Sequence, residues 1–130
     1  MPAPDSADVL VKFEGLNVGG SIKTRTAYNM IAEAEEKGLI GPDSIIVEPT
    51  SGNQGIGLAL IGAVRGYKTI IVMPDSVSEE RRKLVRHYGA GISVFPAVQQ
   101  HLGLCKHLRG IPYHRRLCGA GGSGRDPVPF

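Results

Sequence analysis

Gly15-Leu16-Asn17-Val18-Gly19-Gly20-Ser21-Ile22-Lys23-Thr24-Arg25 is the stretch whose reading decides the fold. The run before it, Val9-Leu10-Val11-Lys12-Phe13, reads as a strand, and a helical pattern leaves it near Ser21. The glycines allow a tight turn that residues with a Cβ resist. Ser21 suits the N-cap, because its hydroxyl takes an orphan amide of the first turn. Lys23 then falls about two positions into the helix, at the positive end of the macrodipole. That is a poor place for a structural ammonium and a suitable one for an amine that must attack a carbonyl. On spacing alone, the plain alternative is an exposed lysine in solvent.

Downstream, strand and helix signals alternate to residue 95. Ser21 to Lys37 reads as a helix, with Ala27, Ile31 and Ala34 on one face and Gly38 as its stop. Ile45-Ile46-Val47 is a continuous apolar run of the kind found in buried parallel strands. A helix from near Asn53 to about Arg65 is apolar nearly all round, with Gly55, Ala59, Gly62 and Gly66 forming a small-residue stripe. Thr69-Ile70-Ile71-Val72-Met73 is the next buried strand. Ser76-Val77-Ser78-Glu79 fits a capping box for a helix through Tyr88, and Gly91 to Phe95 is a last strand. The order β-turn-α-β-α-β-α-β predicts an α/β fold: an open, mostly parallel sheet with helices on both faces. Ligands in such sheets sit at the carboxyl ends of the strands. The loops Gly15–Ser21 and Thr50–Gly57 both follow predicted strands there and are expected to face one crevice.

The chain has 130 residues, 42% hydrophobic and 21% charged, which suits one globular domain with its own core. No apolar run is long enough to span a bilayer, and the N-terminus lacks the regions of a signal peptide. A cytoplasmic protein without a membrane partner is therefore expected. The net charge of +3 conceals two unlike parts. Residues 1–97 hold ten Lys/Arg and eleven Asp/Glu, whereas residues 98–130 hold five Lys/Arg and one Asp. Both cysteines and three of the four histidines fall in the second part.

Thr50-Ser51-Gly52-Asn53-Gln54-Gly55 joins a buried strand to a helix N-terminus. Free amides, the helix dipole, two hydroxyls and an amide side chain make a seat for a carboxylate or phosphate. An ordinary helix cap needs only one such polar residue. A dinucleotide loop is disfavoured, because Gly52, Gly55 and Gly57 give G-x-x-G-x-G rather than G-x-G-x-x-G, and each glycine of that motif has its own steric task.

Taken together, Asn17-Val18-Gly19-Gly20-Ser21-Ile22-Lys23 and Pro49-Thr50-Ser51-Gly52-Asn53-Gln54-Gly55-Ile56-Gly57 resemble the cysteine synthase (O-acetylserine sulfhydrylase) and cystathionine β-synthase family of fold-type II pyridoxal-phosphate enzymes. Met73 to Leu84 and Tyr88-Gly89-Ala90 extend the resemblance over nearly all of residues 9–97. It implies pyridoxal 5′-phosphate as cofactor, an amino-acid substrate and a homodimer. By resemblance, Lys23 holds the cofactor covalently and later acts as acid and base. Asn53 bonds the cofactor's phenolic oxygen. Thr50, Ser51, Gly52, Asn53 and Gln54 form the loop that grips the substrate carboxylate. The implied reaction converts O-acetylserine and sulfide to cysteine and acetate. Cystathionine or diaminopropionate synthesis are close alternatives, and a non-catalytic fragment or pseudoenzyme is the alternative of a different class. Val18 stands where the family usually has Pro, and Gln54 where Thr is more common.

The resemblance ends near Ala97, and the family's phosphate-binding loop is not found in the chain. Residues 98–130 are expected to be an atypical tail, disordered or read out of frame, appended to an N-terminal piece of the family domain (residues 1–97). Gly119-Ala120-Gly121-Gly122-Ser123 lacks the flanking strand and helix of a phosphate loop. His101-x₃-Cys105 and His114-x₃-Cys118 lack the tighter spacing of a zinc module, so no metal is expected. The tail's basic residues have too little aromatic interleaving to point to nucleic acid.

Overall fold

The computed structural model describes residues 7–96. The expectations placed on residues 97–130 lie outside them. In order come a 3₁₀ turn (Glu14–Leu16), α1 (Lys23–Glu36), β1 (Ile45–Pro49), α2 (Asn53–Arg65), β2 (Lys68–Pro74), α3 (Glu79–His87) and β3 (Gly91–Phe95). The fold is α/β, with a three-stranded parallel sheet in the order β1-β2-β3 and flanking helices. Pro49 pairs with Val72 and Pro74 with Phe95, so the three strands end together on one side of the sheet.

Strand alternation sends the two sets of side chains to opposite faces. Ile46, Ile71 and Met73 join Ala27, Ile31 and Ala34 of α1, Ile56 and Leu58 of α2 and Val85 of α3 in the main core. Val47, Val72 and Phe95 form a second cluster with no described helix in it. Among the described residues the helices lie on one of the two faces expected to carry them. Strands laid side by side in chain order, joined by right-handed crossovers, put α2 and α3 on the same face. Helices on the second face need a strand order that reverses, and the described sheet has none.

Glycine lets α2 lie tight on both sides. A Cβ on Gly57 would come within 2.8 Å of the Lys23 carbonyl oxygen and 3.1 Å of the Ala27 Cβ of α1. A Cβ on Gly62 would collide with the Thr69 hydroxyl of β2. The small-residue stripe is therefore a packing device, set against the sheet at Gly55 and Gly62, while Gly57, outside the stripe, lets α1 approach.

Two local expectations also change. Val9–Phe13 is not a strand: among the described residues its backbone has no ladder partner, and Val9, Leu10, Val11 and Phe13 are 71–93% exposed. An apolar run signals willingness to pair, but a strand exists only where a neighbour takes up its amides and carbonyls. The capping box at Ser76–Glu79 is also absent. Ser78 is the N-cap of α3 and makes no side-chain cap bond, and the helix stops at His87. Among the described residues, no helix is long and apolar enough to cross a membrane.

Candidate active site

The site begins in the turn before α1. Gly19 and Gly20 both take left-handed φ values, 89° and 72°, which a Cβ would penalise. The Gly20 amide closes the turn on the Asn17 carbonyl at 2.7 Å. Side chains then fasten it. Asn17 donates to the Glu14 carboxylate and to the Ser21 carbonyl. The Thr24 hydroxyl donates to the Val18 carbonyl at 2.5 Å. Glu14 also receives Arg25 at 3.0 Å and Lys12 at 3.1 Å. The Arg25 guanidinium, with help from Asn17 and Lys12, holds the Glu14 carboxyl down to about 2.

This turn delivers Lys23 as the first residue of α1, two places later than a start at Ser21. Ser21 still does a capping task, since its hydroxyl accepts the Lys23 amide at 3.2 Å. The Lys23 side chain is exposed, and its amine has no partner among the described residues.

The second half of the site leaves the carboxyl end of β1. The Thr50 amide donates to the Val72 carbonyl at 3.0 Å, which ties the loop to β2. The Thr50 hydroxyl accepts the Gly52 amide at 3.2 Å. Gly52 is the N-cap of α2 and Asn53 its first residue. Asn53 and Ser51 are exposed, with no side-chain partner among the described residues. Gln54 departs from the others: its side chain crosses to α1, where Nε2 lies 3.2 Å from the Met30 sulfur, and its buried Oε1 has no partner.

Gly57 brings the halves together. It lies one turn beyond Asn53 on α2 and is the residue against which the Lys23 carbonyl rests. Two helix N-termini thus converge, one offering an amine and the other an amide, hydroxyls and first-turn N–H groups. An open concavity of about 580 Å³ lies beside the turn before α1, lined by Asn17, Val18, Thr24, Arg25, Tyr28, Asn29 and Ile61. The first four belong to the glycine-turn stretch read from the sequence, whereas Lys23 and Thr50–Gln54 do not line it.

Sequence reasoning missed Glu14 and Arg81. Glu14 has a weak signal, an acid set between Lys12 and Arg25 around a glycine turn. Arg81 Nη1 donates at 2.5 Å to the carbonyl of Ser51, thirty positions earlier, and no sequence signal marks such a bond.

The arrangement defines an α/β protein with a lysine and an amide-and-hydroxyl loop on two adjoining helix starts. The chain belongs to the pyridoxal-phosphate dependent enzyme family, which matches residues 2–109. It is 50% identical over 105 residues to a probable cysteine synthase of Bacillus subtilis, a match covering 81% of this chain and 34% of that one. It is 50% identical over 101 residues to an O-ureido-L-serine synthase of Streptomyces lavendulae, covering 78% of this chain and 30% of the other. A crystal structure of a hydrogen sulfide-producing enzyme from Fusobacterium nucleatum superimposes with a TM-score of 0.75 at 44% identity, covering 82% of this chain and 35% of that one. The chain spans about a third of the length of the curated relatives it matches.

The family's cofactor is pyridoxal 5′-phosphate. The donor set fits its reactive end: an unpartnered amine suits the aldehyde carbon, and an unpartnered amide suits the phenolic oxygen.

Proposed function

We propose that this chain carries the lysine and carboxylate-binding part of a cysteine-synthase-type enzyme, which replaces the β-substituent of O-acetylserine with sulfide to give cysteine and acetate. The observation that carries the reading is the packing of the Lys23 backbone against Gly57, one turn along the helix that the Thr50–Gln54 loop begins. Curated cysteine synthases at about half identity support the same chemistry.

In this reading Lys23 holds the cofactor and moves the proton at the substrate's α-carbon. Asn53 orients the cofactor through its phenolic oxygen. Thr50, Ser51 and Gly52, with the first-turn amides of α2, hold the substrate carboxylate at a positive helix end. Gln54 belongs to that loop in sequence, but its side chain acts as a tie between α1 and α2. When bound, pyridoxal phosphate supplies the electron sink that makes the α-proton removable, and the protein supplies orientation and proton transfer. Other β-replacements on the same scaffold use a different nucleophile, giving cystathionine, diaminopropionate or O-ureidoserine. We take the protein to be cytoplasmic, with a homodimer as its working state.

The competing reading is a non-catalytic carboxylate binder. It needs only the Thr50–Gln54 loop and the first-turn amides of α2. Purified chain with added pyridoxal phosphate separates the two. A bound-cofactor absorbance band, together with cysteine formed from O-acetylserine and sulfide, both lost in Lys23→Ala, is the expected result. Carboxylate binding with no band in the unsubstituted protein favours the binder.

A further inference from the structure

The first turn of α3 carries two adjacent arginines, and both reach backbone carbonyls beyond the carboxyl ends of strands. Arg82 Nη2 donates to the Asp75 carbonyl at 2.5 Å, just past β2. Arg81 Nη1 donates to the Ser51 carbonyl at 2.5 Å, just past β1. Arg82 has Glu79 within 3.6 Å, whereas no carboxylate among the described residues pairs with Arg81.

The Ser51 carbonyl shares a peptide unit with the Gly52 amide, and that amide donates to the Thr50 hydroxyl at 3.2 Å. Both ends of one peptide plane are therefore held, the carbonyl from α3 and the N–H from the loop itself. Turning that plane costs both hydrogen bonds. It would also swing Gly52, the N-cap of α2, and Asn53 immediately after it.

We propose that Arg81 is a positioning residue for the carboxylate loop. By holding the Ser51 carbonyl it fixes the Ser51–Gly52 peptide, and so aims the loop hydroxyls and the first amides of α2 at an α-amino-acid carboxylate. The proposal rests on the reading of Thr50–Gln54 as the substrate carboxylate site. The guanidinium also polarises the peptide it holds, which strengthens the Gly52 N–H as a donor. Its charge adds an attraction for anions that weakens as salt rises. In this role Arg81 acts through the Ser51 carbonyl.

The test uses the full chain loaded with pyridoxal phosphate and titrated with O-acetyl-L-serine, following the bound cofactor's absorbance. Arg81→Ala is expected to weaken the apparent amino-acid affinity about tenfold, the scale of one charged hydrogen bond. Cofactor affinity and Tm are expected to stay at the unsubstituted values, and Arg81→Lys to recover part of the loss. Without cofactor, the Gly52 amide is expected to exchange several-fold faster in Arg81→Ala while the Ile71 amide is unchanged. An Arg81→Ala protein that binds O-acetyl-L-serine as tightly as the unsubstituted chain overturns the positioning role. So does a loss of cofactor affinity equal to the loss for the amino acid. An unsubstituted chain whose cofactor shows no response to O-acetyl-L-serine overturns the reading of the loop instead.

Discussion

Two helices start at the candidate site, and different forces hold their starts. The turn before α1 is exposed and has little core beneath it: Leu16 and Val18 face solvent, and Ile22 is half exposed. Its shape comes from polar ties, namely Asn17 and Arg25 on Glu14, Thr24 on Val18 and the Lys23 amide on Ser21. The loop before α2 hangs from the sheet by the Thr50–Val72 bond, and the helix it starts is buried between the sheet and α1. One half of the site is thus set by side-chain hydrogen bonds and charge, the other by packing. The lesson is that the amine and the carboxylate loop respond to different perturbations, although Gly57 makes them neighbours.

The largest effect should come from the packed half. Ile71, fully buried in the central strand, lies directly under Gly55 of α2. Ile71→Ala should cost about 2–5 kcal/mol of stability, read as a lowered denaturant midpoint. A loss below about 1 kcal/mol would mean that packing does not set the α2 half.

Next comes the seam between the halves. Ala is the better helix former at Gly57, by about 1 kcal/mol. Its Cβ, however, would sit 2.8 Å from the Lys23 carbonyl, and such overpacking costs about 1–3 kcal/mol. Gly57→Ala should therefore change stability modestly while displacing Lys23 from Asn53. Loss of the bound-cofactor band at near-normal Tm is the expected signature. An unchanged band would separate the two halves functionally.

The polar half should yield smaller numbers. Thr24→Val keeps the shape but removes the hydrogen bond to Val18, for a loss of about 1 kcal/mol by denaturation. The accompanying change should be faster amide exchange in Asn17–Gly20, with none in β2. Equal exchange changes in both regions would abolish the distinction between them.

The smallest effect is a pH dependence. Glu14 titrates at about 2 in the folded chain against an ordinary value of 4.5. Its ties therefore favour the ordered turn above about pH 4.5, and that contribution fades as pH falls towards 2. The partners are exposed, so added salt should shrink the effect. The chemical shifts of Gly19 and Gly20 should follow this titration in the unsubstituted chain and lose it in Glu14→Gln.

Much of the packed half was legible in the sequence, because buried strands leave a direct trace. Ile45-Ile46-Val47 and Thr69–Met73 are apolar runs and became β1 and β2. Asn53–Arg65 was read with the bounds it has. Val9–Phe13 was misread, since pairing depends on a neighbouring strand that a local pattern cannot reveal. Placing α2 and α3 on one face needed only the handedness rule applied to strands in consecutive order. Lys23, Asn53, Ser51 and Thr50 stood out by residue type at helix starts. Glu14 and Arg81 did not, because each matters through a partner distant in sequence. Gln54 was read by its neighbours in the loop, whereas the helical turn aims it at Met30.

The central claim is that the first residue of α1 supplies the amine of this site. Borohydride reduction of the purified chain with pyridoxal phosphate, followed by peptide mass mapping, tests it most directly. The account predicts the pyridoxyl group on Lys23 at near-equimolar cofactor, with Lys12, Lys37, Lys68, Lys83 and Lys106 unlabelled. Label spread evenly over those lysines, or placed on one of them with Lys23 unmodified, would contradict it.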